Sequence, residues 1–411
     1  MRISTAQFFQ DGITQINNQQ GQLLSLYNQV SSGKKLTTPS DDPLGAARAI
    51  TLSTAQTVNA QYKSNRTVAS QNLNAEENTL QSVTTLMQQI QTTIVQAGNG
   101  TLSDSDRQSL ATVIATAKQT LLGYANATDA NGQYLFSGHQ GDVAPFSEGS
   151  GGAVSWQGDR GARLVQVSSS RQIPTNDNGY DLFMSASPGD TSYITSANSA
   201  NTETGQISTP TIIDPTDASV GNNFSISFSG SPLQYTVSQT DSSGDPVGSP
   251  VTYPYDSTST TLTLSPGVTV SMAGAPASGD SFTVDTATSQ NLNIFDSLDN
   301  LANVLNTPAA GNPQALAALK NTLTTVGQSV QANYSAVLTV RASLGTRLNE
   351  IDGLNSSGDT LDVNYTTQLS SIEDVDYNTA ITQLTLRQTA LSAASQAFVK
   401  IESMNLFAMN S

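Results

Sequence analysis

A chain of 411 residues exceeds what one hydrophobic core organises and should divide into two or three domains. Only 12% of its residues are charged, about half the usual share, and a formal charge of −16 leaves 16 scattered Lys and Arg with no cluster to track phosphates, which excludes nucleic acid and anionic membrane surfaces as partners. The absence of cysteine removes thiol catalysis, disulfides and thiolate metal sites, and no apolar run approaches the roughly 18 residues of a membrane span.

The opening Met1-Arg2-Ile3-Ser4-Thr5-Ala6-Gln7-Phe8 lacks the apolar core of a cleavable signal. The expectation is a cytoplasmic protein, or one exported by a route that leaves no such signal. Residues 5–31 then read as a helix. Phe9, Ile13, Ile16, Leu23, Tyr27 and Val30 share one narrow seam at steps of three, four and seven, with Gln20 on the same line. Gly33 should end it in a left-handed turn. Residues 37–43 form a rigid connector, with Asp42 as N-cap and Pro43 as the first residue of the next helix.

From Leu44 to Ala97 nothing after Gly45 breaks a second helix, whose later half carries Leu73, Leu80, Val83, Met87, Ile90 and Ile94. Gly98-Asn99-Gly100 stops it. Ser103 caps a third helix, with Asp104 and Asp106 in its first turn and Leu110, Val113, Ala117, Leu121 and Tyr124 as the expected buried face. At Gly132 the period turns to alternation. Short strands are expected at 133–136, 154–156, 164–167 and 171–173, then a polar linker over 187–200. A second β block follows at 224–228, 235–237, 262–264, 268–270 and 282–284.

Helical period returns from Leu292 to Leu305. Asn312-Pro313 opens a long helix whose Leu316, Leu319, Leu323, Val326, Val330, Val337, Leu344, Leu348 and Ile351 hold a coiled-coil stripe, with Gly353 and Gly358 expected to close it. The run from Ser370 to Ser411 gives a last amphipathic helix with Ile381, Leu384, Leu391, Ala394, Phe398 and Ile401 in line, and Gln388 on the same seam.

Helices therefore enclose strands. The fold class is α+β: a long antiparallel helical bundle or coiled coil built from both chain ends, with β-rich insertions at its tip. Residues 1–40 and 365–411 form the terminal pair, 41–186 and 288–364 the bundle with its hairpins, and 187–287 a small antiparallel β domain. Two terminal stripes that complete themselves against neighbours describe a polymer building block, assembled through Phe9, Ile13, Ile16, Gln20, Leu23, Tyr27, Val30, Ile381, Leu384, Gln388, Leu391, Phe398 and Ile401. Gln20 and Gln388 should fall close together and set register. Helices rich in Ser, Thr and Asn with narrow stripes should be largely unfolded in the free monomer.

Chemical sites read as structural. His139 sits in a turn; Asp41-Asp42 caps a helix; the glycines at 149–152, 158 and 161 lack the strand–loop–helix order of a phosphate loop. Glu373, Asp374 and Asp376 suit a helix start better than a hard cation. Trp156 belongs to a β core. No nucleophile, base and electrostatic stabiliser assemble, so no enzyme, cofactor or metal is expected.

Ser31-Ser32-Gly33-Lys34-Lys35-Leu36 with Thr38-Pro39-Ser40-Asp41-Asp42-Pro43-Leu44-Gly45-Ala46-Ala47, and Ser371-Ile372-Glu373-Asp374-Val375-Asp376-Tyr377, resemble the two signatures of the bacterial flagellin superfamily. The Thr38–Pro43 segment, Arg341-Ala342-Ser343-Leu344-Gly345-Thr346-Arg347-Leu348-Asn349-Glu350, the ending Asn405-Leu406-Phe407 and the run 276–284 are similar to its hook–filament junction branch. That resemblance implies a structural subunit of the extracellular flagellum, secreted unfolded through the type III channel. Its implied partners are a hook-side junction protein, flagellin, copies of itself in a ring, and an export chaperone on the C-terminal segment. Filament flagellin is the near alternative and a surface adhesin with a β binding domain the distant one.

Overall fold

The computed structural model describes residues 5–186, 192–290 and 292–408. Helix α1 spans Thr5–Ser32 and stops where Gly33 turns to φ +72°. In the connector, the Asp41 carboxylate accepts from the Thr37 and Thr38 N–H groups at 3.1 and 2.8 Å. Asp42 Oδ1 accepts from Gly45 N–H at 2.9 Å, capping α2 (Pro43–Ala97) with Pro43 at its first position. Helix α3 (Asp104–Ala125) opens on a reciprocal capping box between Ser103 and Asp106.

Two hairpins follow, β1 (Phe146–Glu148) with β2 (Val154–Trp156) and β3 (Leu164–Ser168) with β4 (Arg171–Pro174), then the short α4 (Gly179–Phe183). The strand expected at 133–136 does not form. Tyr134 makes one isolated bridge to Thr128, and Phe136 turns into an edge-to-face contact with Phe183. Trp156 packs on Phe146 and Tyr180, within this aromatic core.

The linker expected over 187–200 is corrected in part. Residues 187–191 lie outside those described, but β5 (Tyr193–Ala197) is a strand. After it come β6 (Gln206–Ile207), β7 (Thr211–Ile212), β8 (Asn223–Ser229), β9 (Gln234–Thr240), β10 (Val251–Pro254), β11 (Thr261–Thr263), β12 (Val268–Ala273) and β13 (Ser281–Thr286). They build an antiparallel sandwich. One sheet runs β10-β9-β8-β13-β5; the other runs β11-β12-β6, with β7 also on β12. Alternate residues meet in one core of Phe224, Ile226, Phe228, Val237, Leu262, Val268, Val270, Phe282 and Val284.

Helix α5 (Ile294–Asn306) is capped by Asn293, and α6 (Pro313–Glu373) by Asn312, whose side chain accepts from Gln314 and Ala315 N–H at 3.1 Å. Helix α7 (Tyr377–Ala408) ends the described chain. Helix α6 is continuous through Gly353 and Gly358, against expectation. A mid-helix glycine costs about 1 kcal/mol, which a helix held along most of its length absorbs. The Gly358 carbonyl also accepts from Asn59 Nδ2 at 2.8 Å.

The chain divides into two compact units, Met1–Ser64 with Gly353–Ser411, and Asn65–Asp352. The second holds the sandwich and a helical core of Leu73, Leu80, Met87, Ile90, Ile114, Leu121, Leu298, Leu301, Val330, Val337 and Leu344, all nearly inaccessible. The sandwich sits on α6 by polar links: Asn321 bonds Ile207 N–H and Gly205 O, and Gln328 Oε1 accepts from Thr195 N–H at 2.7 Å. The buried face of α3 is Arg107, Ala111, Ile114, Ala117, Lys118, Leu121 and Ala125. Val113 is 51% exposed, and Leu110 and Tyr124 are only half-buried. Ala117 and Leu121 are thus on the face as expected, joined by Ala111, Ile114 and Ala125 and by the long side chains of Arg107 and Lys118.

Candidate assembly interface

In the first unit α1 and α7 pair antiparallel. Their junction is laced at the backbone, with Lys35 N–H donating to Glu373 O at 2.6 Å and Val375 N–H to Gly33 O at 3.0 Å. Lys34 Nζ meets Glu373 Oε2 at 2.8 Å. Asp376 caps α7: its carboxylate accepts from the Thr379 hydroxyl at 2.6 Å and from Asn378 N–H at 3.0 Å. The Thr379 hydroxyl and N–H bonds, followed by the Asn378 bond, hold this carboxyl below its usual range.

The half-buried line on α1 is Gly12, Ile16, Gln19, Leu23, Leu26 and Val30; on α7 it is Leu384, Arg387, Leu391, Ala394 and Phe398, led by fully buried Ala380. Both advance in alternating steps of four and three, the knobs-into-holes rhythm. Of the residues expected on the seam, Ile16, Leu23, Val30, Leu384, Leu391 and Phe398 are therefore on it. Ile13, Gln20, Tyr27, Ile381 and Gln388 are not: they are exposed, at 50% for Ile13, 61% for Tyr27 and 50% for Ile381. The side chains of Phe9 and Ile401 lie outside the described residues.

The reason is steric. Gly12 approaches so closely that a Cβ there would stand 3.0 Å from the Phe398 ring. At that point the contact line needs a small residue, and apolar spacing, which does not mark Gly12, Gln19, Ala380 or Arg387, fills those turns with the exposed neighbours Ile13, Gln20, Ile381 and Gln388. Gln20 and Gln388 lie outside the pair, with no hydrogen bond between them among the described residues. The polar contact inside it is Arg387 Nη1 donating to Gln22 Oε1, with Gln19 Oε1 buried and without a hydrogen-bond partner. Neither Gln19 nor Arg387 had a signal that a search for apolar periodicity could detect.

Beside this pair, α2 and α6 meet within the same unit through polar groups. Gln56 Nε2 reaches Asp362 at 3.0 Å and Thr366 at 3.2 Å, and Lys63 meets Asp359 at 2.8 Å. Several of their apolar side chains stay in water: Leu44, Ile50, Val58, Leu361 and Val363 are exposed.

The residues weighed for chemistry serve structure. His139 donates its backbone N–H to Asp159, Asp374 accepts from the Ser370 hydroxyl at 2.5 Å, and Glu373 is taken by Lys34. Among the described residues no three His, Cys, Asp or Glu gather as a metal site, and no helix is long and apolar enough to cross a membrane.

Fold and surface define a class: an α+β chain whose terminal helices close on each other and leave a second apolar line outside the pair. Its helical ends match known models, the bacterial flagellin N-terminal helical region over residues 3–141 and the C-terminal helical region over 327–409. Over its full length, and theirs, it is 30% identical to flagellar hook-associated protein 3 of Salmonella typhimurium and 32% identical to that of Escherichia coli. Among solved structures it is similar to FlgL of Xanthomonas campestris (TM-score 0.65, 27% identity, 78% of this chain and 99% of that one). It is similar also to hook-associated protein-3 of Legionella pneumophila (TM-score 0.68, 26% identity, 78% and 98%). The chain belongs to the flagellar hook-associated protein 3 (FlgL) family of the flagellin superfamily.

Proposed function

We propose that this chain is a structural subunit of the layer that joins flagellar hook to filament and that it assembles through its terminal helices. The observation that carries this reading is the second line on the α1/α7 pair. Ile13 and Tyr27 on α1, with Ile381 on α7, keep half or more of their surface after the pair has closed, and Gln20 and Gln388 accompany them. Covering such a line is favourable at about 25 cal/mol per Å² of apolar surface removed from water. The groups that accompany it are uncharged, so burying them against another subunit costs less than burying ions.

In this reading copies form a ring through residues 1–40 and 365–411, a hook-side junction protein contacts one face and flagellin the other, and the β domain of residues 187–287 points outward. The protein acts outside the cell, exported unfolded without a cleaved signal, with a chaperone covering its C-terminal segment before export. The work is mechanical coupling, without catalysis. Seeding purified full-length protein on filament fragments and imaging by negative-stain electron microscopy tests the assignment. Short caps, with hooks lacking filaments in a deletion strain, are expected; long filaments grown from this chain alone would make it a filament subunit.

A further inference from the structure

The second unit contains a carboxyl group that the assembly reading leaves without a role. Glu76 on α2 is completely buried. Its Oε1 accepts the backbone N–H of Asp177 at 3.1 Å, and its Oε2 is buried with no hydrogen-bond partner. Asp177, in the loop between β4 and α4, directs its own carboxylate to Arg347 Nη2 of α6 at 2.5 Å. Arg347 Nη1 donates to Pro174 O at 3.2 Å, at the end of β4.

Glu76 thus faces one carboxylate and one guanidinium. The other charges nearby are engaged with each other: Glu77 with Arg341 at 2.6 Å, and Arg171 with Glu350 at 2.5 Å. Two acids against one base leave an uncompensated buried negative charge if both ionise. A protonated Glu76 brings the trio of Glu76, Asp177 and Arg347 to zero net charge and gives its second oxygen a hydrogen to share with the Asp177 carboxylate. Burial, and next the charge of Asp177, push the Glu76 carboxyl well above its ordinary range.

We propose that Glu76 is carried as the neutral acid and acts as a proton-operated latch, fastening the β4–α4 loop to α2 and freeing it when the proton leaves. It also gives the segment Arg341–Glu350 a purpose, since Arg341, Arg347 and Glu350 clamp α2, the loop and the β3–β4 hairpin around this acid. Below the ordinary carboxyl value of 4.5 the folded and unfolded chains both hold the proton. Above it the unfolded chain releases the proton first, so this group's contribution to stability falls as pH rises, until the folded group also ionises.

The protein supplies its own reporter. Trp156, the only tryptophan, packs edge-on against Tyr180 at 6.0 Å between ring centres, and Tyr180 follows Asp177 closely in sequence. Full-length wild type and E76Q are to be compared by melting and by Trp156 emission across about pH 5 to pH 8. The wild-type Tm should fall relative to E76Q, the gap widening by about 2 °C or more. Trp156 emission should show a pH transition that E76Q lacks. Parallel curves for the two proteins would overturn the latch. Should E76Q fail to fold, carboxyl-carbon NMR of labelled wild type decides: a neutral-acid shift for Glu76 near pH 7 supports the proposal, and an ionised shift rejects it.

Discussion

In the β-sandwich, Phe224, Phe228 and Phe282 are at most 2% exposed, while on the α1/α7 pair Ile13, Tyr27 and Ile381 keep half or more of their surface. Both regions are built from apolar residues at regular spacing. Alternation in the sandwich puts every second residue into a core closed by the opposite sheet. In the helix pair each helix covers only the line of residues that faces the other, and apolar groups beside that line stay in water. The first region closes its core within one chain; the second leaves an apolar line uncovered.

The sharpest test of that contrast sets two truncations side by side. Phe282→Ala should destabilise the second unit by about 3–5 kcal/mol, read by denaturant unfolding. Leu384→Ala, made in a half-buried seam, should cost the monomer about 1 kcal/mol or less, yet weaken seeded assembly strongly. Amide exchange should agree: residues 5–32 and 377–408 exchange fast in dilute monomer and slowly in assemblies. Equal stability losses from the two variants would remove the distinction between the regions.

A second test separates the two lines on the pair. Tyr27→Ser with Ile381→Ser leaves the internal seam intact, so monomer stability should move by no more than about 0.5 kcal/mol. Assembly on filament seeds, scored by electron microscopy, should be lost. Retained assembly would mean that the exposed line is not the contact surface.

How much of this was readable in the residues depends on the kind of signal. Capping signals transferred well: Asp42, Ser103 and Asn312 each accept the backbone N–H bonds expected of them, because a cap is a local event. Strand β5 was missed because Tyr193-Ile194-Thr195 stands in a run of Ser, Asn and Thr, and its pairing with β13 is a long-range choice. Helix faces were read partly right in α1, α3 and α7: Ile16, Leu23, Val30, Leu384, Leu391, Ala394 and Phe398 lie on the pair's seam and Ala117 and Leu121 on the buried face of α3, while other expected members fall beside it. The contact lines mix bulky residues with positions that apolar spacing does not mark, Gly12, Gln19, Ala380 and Arg387 in the pair and Arg107, Ala111 and Lys118 in α3, so expected members such as Ile13, Tyr27, Ile381 and Val113 fall outside them. The large residues left over became the surface on which the functional reading rests.

A smaller effect probes how the pair is held at its closed end. Gly33 adopts φ +72°, and a Cβ there would stand 3.0 Å from the Tyr377 hydroxyl. Gly33→Ala should cost about 1–2 kcal/mol for the left-handed backbone and loosen the α1–α7 junction, seen as faster exchange at Lys35 and Val375, whose N–H groups lace it. Unchanged protection there would show that the lacing does not depend on this turn.

The smallest effect is a matter of pH at the same junction. Asp376 is fully solvated, and its carboxyl lies below the ordinary value of 3.8, chiefly through the bonds from Thr379. A depressed carboxyl lends stability that is present above the unfolded value and is lost as pH falls through the folded one. The first turn of α7 should therefore fray below about pH 4 in wild type, while Asp376→Asn, which can still accept from the N–H groups but carries no charge, should show a weaker pH dependence there. The effect runs opposite in sign to that of Glu76, so one acid titration followed at both sites separates them: protection factors at Asn378 and Thr379 fall as protons are added, while the loop around Asp177 tightens.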